Sequence, residues 1–191
     1  MYLLKNNRYE EIKRVVADVI QDANISEYPF NVFLIAKKLD IIIIEYQSFS
    51  KEIQQKFLKQ SEDGFSYYYH NKDGYNLPRI IYNKNNSEKR IKFTIMHEIG
   101  HLLLNHCDKD GTDELEANFF AKYILAPPII INHLNLHDSV SISKIFDIST
   151  IMATYQLDYY NKWLKFKNNP LKDYDKRILN QYLKKQNYIY I

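Results

Sequence analysis

Apolar positions divide the chain into an amphipathic start, a strand-bearing middle and a long helical remainder. Ile12, Val15, Val16, Val19 and Ile20 recur at helical spacing, which predicts an amphipathic helix over residues 9–23. Pro29 and Asn31 precede a second, shorter helix that runs through Lys38. Residues 41–46 hold four consecutive isoleucines, which predict a strand in a sheet buried on both faces. Residues 50–60 fit a short helix. Residues 64–70 and 78–83 read as two further strands around Asn71-Lys72-Asp73-Gly74, an Asp-Gly turn signal. The stretch between them is long for a tight hairpin and reads as a loop at the edge of a cleft.

From Ser87 to His106 no proline interrupts the chain, and Ser87 followed by Glu88 reads as an N-cap with an acid in the first turn. Ile91, Ile95, Met96, Ile99, Leu102 and Leu103 cover a wide apolar arc of this helix, which marks it as buried. Thr94, His97, Glu98, His101 and Asn105 share the remaining sector. A polar stripe on a buried helix needs partners inside the protein. His97-Glu98-Ile99-Gly100-His101 identifies them. Residues i and i+4 of a helix lie on one face, so the imidazoles of His97 and His101 can meet one metal ion. Neutral imidazole suits zinc, and the chain has no pair of thiols. Glu98, about 100° round the helix from His97, can reach a water at the ion without ligating it. This is the arrangement of a metalloprotease with two histidine ligands and a glutamate general base.

A catalytic zinc site takes a third protein ligand. The next segment predicts a helix from near Thr112 that stops at Pro127-Pro128. Glu114 and Asn118 share one face of it, with the small Ala117 and Ala121 beside them to permit close approach. Glu114 is therefore the expected third ligand, and Asn118 the group behind it that could orient a ligand histidine. Glu116, about 200° away from Glu114, is expected to face elsewhere as a solvated acid.

These blocks resemble the ImmA/IrrE-type zinc metallo-endopeptidases of bacteria and their mobile elements. The likeness rests on Arg90-Ile91-Lys92-Phe93-Thr94-Ile95-Met96-His97-Glu98-Ile99-Gly100-His101-Leu102-Leu103-Leu104 and on Glu114-Leu115-Glu116-Ala117-Asn118-Phe119-Phe120-Ala121, continuing through Leu125-Ala126-Pro127. Looser likenesses extend to residues 30–46 and to Ile80-Ile81-Tyr82-Asn83. Departures are minor: Met96 stands where alanine is common, and Tyr123-Ile124 where a charged residue and a leucine are usual. The resemblance implies a cytoplasmic protease with one Zn2+ per chain. It also implies a narrow substrate choice, a DNA-binding repressor of the helix-turn-helix type whose cleavage derepresses a mobile element or a stress response.

The implied fold is α+β: a small three-stranded sheet on the His-Glu helix and the second ligand-bearing helix, followed by a mostly helical subdomain. Residues 1–128 would form the zincin-like peptidase domain with the N-terminal helix, and residues 129–191 a helical extension. Within that extension, residues 140–146 and 151–160 predict two helices with Ser149 capping the second, a helix-turn-helix-like spacing. Its second helix offers Met152, Thr154, Tyr155, Gln156 and Asp158, a set poor in cations that argues against DNA binding. Residues 171–191 predict a last helix.

Bulk properties narrow the reading only slightly. The net charge of +3 is too small to argue for a nucleic-acid partner. Runs such as residues 41–44 and 129–131 are far short of a membrane span, and the start of the chain turns charged before any signal-peptide core develops. The single cysteine, Cys107, fits a reducing compartment and is expected to be structural. His70, His106, His133 and His137 are expected as surface or capping residues, His106 as an imidazolium at the helix end. Residues 65–83 are expected to offer a sheet edge on which an extended substrate could add as a strand. The rival reading is a non-cleaving anti-repressor module with a structural zinc, against which Glu98 argues, since a structural site needs no general base.

Overall fold

The computed structural model describes residues 6–70, 72, 74–106, 111–166 and 171–187 of the 191. Cys107 and half of the Asp-Gly turn, residues 71 and 73, lie outside the described residues. Contacts group the chain into two compact units, Asn31–Asn118 in one and Leu4–Phe30 with Phe119–Ile191 in the other, each through its described residues. This grouping puts the N-terminal helix with the C-terminal helices, where the sequence reading divided the chain at residue 128.

The first unit is α+β, as expected. It contains α2 (Val32–Lys38), β1 (Ile42–Glu45), α3 (Lys51–Gln60), β2 (Gly64–His70), β3 (Asn76–Tyr82), α4 (Glu88–Leu103) and the start of α5 (Gly111–Leu125). Asn31 caps α2 by accepting from Phe33 N at 2.9 Å, and Ser87 caps α4 by accepting from Arg90 N at 3.3 Å. The sheet runs β1-β3-β2, with β1 parallel and β2 antiparallel to β3. The isoleucine strand is therefore an edge, not a strand buried on both faces, and Ile42 is 43% exposed. A β-branched run reports strand propensity; position in the sheet decides burial. The buried central strand is β3, through Ile80, Ile81 and Tyr82.

The second unit is helical: α1 (Asn6–Asp22), the remainder of α5, α6 (Pro128–His133), α7 (Ser139–Phe146), α8 (Thr150–Phe166) and α9 (Asp173–Asn187). The predicted stripe of α1 is its buried face, with Ile12, Val16, Val19 and Ile20 almost fully covered. α9 packs against it, and Tyr174 Oη donates to Glu10 Oε2 at 3.0 Å. Ser149 caps α8 by accepting from Met152 N at 3.2 Å. Asp175 is buried among aromatic side chains and accepts from Tyr123 Oη at 3.1 Å and Trp163 Nε1 at 3.3 Å. Burial raises its carboxyl above the usual aspartate range, against the lowering effect of those two donors.

The way helices end is shared by both units. The chain has only four glycines, and the left-handed positions that stop helices fall to Asn24, Asp40, Asn105, Asn135 and Asp147, all at φ between 49 and 56°. Asparagine and aspartate are the residues that tolerate this conformation after glycine. The stop at Asn105 positions the site.

Candidate metal centre

α4 lies against β2 and β3, and one glycine sets how closely. A Cβ at Gly64 would stand 2.8 Å from Ile81 O and 2.9 Å from Thr94 Cγ2, so only glycine lets β2 settle onto the polar sector of α4. Beyond that contact the ends of the elements are tied by side chains. Asn83, nearly buried, donates to Glu62 O at 3.0 Å and accepts from Gln47 Nε2 at 3.0 Å. Arg90, in the first turn of α4, forms a fork on both oxygens of Asp63, the residue before β2. Burial pushes the Tyr46 hydroxyl up to about 12, with the charges of Glu98 and Asp63 adding to it. It therefore stays neutral and donates to Ser61 O at 3.1 Å.

This packing brings β2 over Glu98. The carboxylate is 5% exposed, and its Oε2 accepts from Ser66 N and Ser66 Oγ, each at 2.8 Å. Two donors to one ionised oxygen hold the side chain in a single orientation. Nothing in the spacing of the sequence singled out Ser66, because the contact depends on strand placement.

One turn of helix joins the two motif histidines. His97 Nε2 and His101 Nε2 lie 3.0 Å apart. Glu114 of α5 completes a triangle, with Oε2 at 3.3 Å from His97 Nε2 and Oε1 at 3.1 Å from His101 Nε2. Nearest-ligand spacings in a tetrahedral zinc site with bonds of about 2.0–2.1 Å are roughly 3.3 Å. Two imidazole nitrogens and a carboxylate at that separation are a donor set that fits zinc. His97, Glu98 and His101 also offer ligand atoms all within 4.8 Å of one another, a cluster able to hold a metal ion.

The triangle opens into a cavity of about 450 Å³ between β2 and α4. Phe65, Arg90, Phe93 and Thr94 line it, together with His97, Glu98, Glu114 and Asn118. Asn118 thus reaches the same cavity as His97 and Glu114. The bond to the second nitrogen of His101, however, comes from another residue. His106 Nδ1 lies 2.9 Å from His101 Nδ1, and His106 Nε2 lies 2.9 Å from Glu116 Oε2.

Two expectations are corrected by this pair. His106 does not lie at the surface as expected, since its side chain is 3% exposed. Glu116 faces away from Glu114, as its helical angle requires, but it is buried at 5% exposure rather than solvated. The reason is the helix end. Asn105 takes the left-handed conformation, Asn105 N donates to Leu102 O at 3.4 Å, and His106 N donates to His101 O at 3.0 Å. These are the paired 5→2 and 6→1 bonds of a Schellman motif, which turns the chain back over the last helical turn. The contact that usually joins two apolar side chains across this motif is made here by two imidazoles. His70, His133 and His137 remain exposed.

A search among curated proteins gives no significant match to the chain. The model of the Peptidase_M78 family, the IrrE N-terminal-like domain, matches residues 45–158. That span contains β2, β3, α4 and the whole cluster of His97, Glu98, His101 and Glu114. The chain belongs to the Peptidase_M78 family.

Proposed function

We propose that this peptidase-family chain is a zinc-dependent endopeptidase, with His97, His101 and Glu114 as the metal ligands and Glu98 as the general base. The observation that carries the reading is the triangle of Nε2, Nε2 and carboxylate oxygens at 3.0–3.3 Å beside a buried, doubly hydrogen-bonded glutamate. Bound there, zinc would supply Lewis acidity and lower the pKa of a water. Glu98 takes a proton from the attacking water as its oxygen bonds to the peptide carbonyl carbon, then delivers that proton to the amine as the C–N bond breaks. Ser66 fixes Glu98 for both transfers. Glu114, whose side chain is 45% exposed, leaves the cavity side of the centre open to a substrate.

β2 supplies a docking edge. Asn83 N donates to Asp63 O at 2.8 Å, so in the register of the sheet the odd-numbered residues of β2 bond to β3 and the even-numbered ones turn their backbone outward. An extended peptide adding at Tyr68 would run beside the cavity. The substrate we propose is a DNA-binding repressor of the helix-turn-helix type, in the cytoplasm, on the strength of the family likeness. Among the described residues no helix is long and apolar enough to cross a membrane.

The test is digestion of a proteome-derived peptide library by zinc-loaded wild-type protein and by Glu98→Gln, read by mass spectrometry. The proposal expects a narrow set of cleavages in wild type and a loss of at least about 100-fold in Glu98→Gln at equal zinc content. Equal cleavage by the two proteins would refute the role of Glu98.

A further inference from the structure

Hydrogen-bond logic at the end of α4 determines which nitrogen of His101 carries its proton. The Nδ1···Nδ1 contact of 2.9 Å between His101 and His106 needs one donor and one acceptor. The other nitrogen of His106 faces Glu116 Oε2 at 2.9 Å, with Asp113 Oδ1 farther off at 3.7 Å. An ionised carboxylate only accepts, so His106 Nε2 must carry a proton. With a metal ion on His101 Nε2, as proposed above, His101 Nδ1 carries the proton and donates to His106 Nδ1, which leaves His106 Nε2 to donate to Glu116. Without the ion, His101 Nε2 would face a second acceptor, Glu114 Oε1 at 3.1 Å, so the assignment belongs to the metal-loaded site. The opposite tautomer at His106 would set a bare nitrogen against the Glu116 carboxylate, two acceptors in a buried place.

We infer that Glu116 and His106 are positioning residues that hold His101 in its metal-binding tautomer. The inference rests on the ligand reading above and adds to it a two-step relay, carboxylate to imidazole to imidazole, in place of the direct carboxylate–histidine pair that often backs a zinc ligand. Three features make the relay specific. All three side chains are at most 7% exposed, so water does not substitute for a missing member. The His101 and His106 rings meet at 75°, which aims nitrogen at nitrogen rather than stacking the faces. The backbone reversal at Asn105 brings His106 to His101 by a bond inside the motif itself, His106 N to His101 O. Glu116 therefore reaches the metal site through His106, while Glu114, two residues earlier in the same helix, is placed to act on it directly.

The experiment has two readouts on the full chain. Long-range 1H–15N correlation on 15N-histidine protein, chelator-treated and zinc-loaded, reports each tautomer. The relay predicts His101 protonated at Nδ1 and His106 at Nε2 in the zinc-loaded sample. His106 protonated at Nδ1 in the zinc-loaded wild type would overturn it. Zinc affinity by chelator competition is the second readout. Glu116→Leu and His106→Leu should each weaken zinc by about 10–100-fold. His106→Gln, whose carbonyl accepts and whose amide donates in the same two directions, should return affinity to within about threefold of wild type. A His106→Gln protein as weak as His106→Leu, with both folded by circular dichroism, would also overturn the relay. Absence of zinc uptake by wild type would refute the ligand reading and the relay with it, whereas normal uptake with His106 protonated at Nδ1 would refute the relay alone.

Discussion

Gly64→Ala offers a quantitative check on how the sheet is seated over α4. The new methyl would lie 2.8 Å from Ile81 O, 2.9 Å from Thr94 Cγ2 and 3.3 Å from Tyr82 Cα. Two of these neighbours are backbone, and the third belongs to a β-branched side chain that is stiff at χ1. None yields easily, so β2 must move by several tenths of an ångström. Overpacking of this kind costs about 1–3 kcal/mol, offset by about 0.4–1 kcal/mol from the lower entropy of the unfolded chain. The net expectation is about 1–2 kcal/mol of destabilisation. With a urea slope of about 2 kcal/mol/M, the midpoint falls by about 0.5–1 M. The transition should be followed by far-UV circular dichroism, because the single tryptophan, Trp163, belongs to the other compact unit. Thr94→Ser removes the clashing methyl, so the double variant should recover at least about 0.5 kcal/mol relative to additivity. A Gly64→Ala protein as stable as wild type, or strict additivity with Thr94→Ser, would refute the close-approach argument. The same displacement lifts Ser66 from Glu98, so peptide cleavage should fall in Gly64→Ala and recover in part with Thr94→Ser.

Ser66→Ala removes one of the two donors to Glu98 Oε2 and leaves the backbone N–H. A hydrogen bond to a charged group is worth about 1.5–3 kcal/mol. Ser66→Ala should therefore lower stability by about that amount while zinc content stays at the wild-type value; loss of zinc would place Ser66 in the metal site itself. Asp175 gives a pH signature. Its carboxyl is raised by burial, so its contribution is fully present below the ordinary aspartate pKa and is lost as pH rises through the raised value. Asp175→Asn should accordingly gain stability relative to wild type between pH 3 and pH 7, and a difference that does not vary with pH would contradict it. Asp138→Ala removes the cap of α7, an acceptor for Ser141 N at 2.8 Å, and should cost about 1 kcal/mol by thermal melting; an unchanged melting temperature would show the cap to be dispensable.

Much of the site was readable because it lies on helices with local rules. The four-residue spacing of His97 and His101, and the pairing of Glu114 with the same face as Asn118, follow from helical period alone. Period also put Glu116 on a different face from Glu114. What it could not show is that this face is covered, since the cover is His106, returned by the chain reversal at Asn105. Ser66 and Gly64 were illegible for a related reason: strand residues acquire a role from the helix beneath them, and neither has a helical neighbour in sequence. The isoleucine run identified a strand and misplaced it, because propensity does not specify an edge. Pro127-Pro128 stops α5, as their missing N–H groups require, and Pro128 also opens α6, where a missing N–H costs nothing at the first helical position. α8 runs on past Tyr160 to Phe166, carried by the buried Trp163.

The central claim is that His97, His101 and Glu114 hold one zinc ion while Glu98 does not. Zinc per chain should be measured by plasma mass spectrometry on wild type, His101→Ala, Glu114→Ala and Glu98→Gln after dialysis against a weak chelator. The account predicts about one zinc in wild type and in Glu98→Gln, and little in His101→Ala and Glu114→Ala. Zinc retained in Glu114→Ala, or lost in Glu98→Gln, would contradict the ligand set. A wild-type chain that takes up no zinc at all would contradict the centre itself.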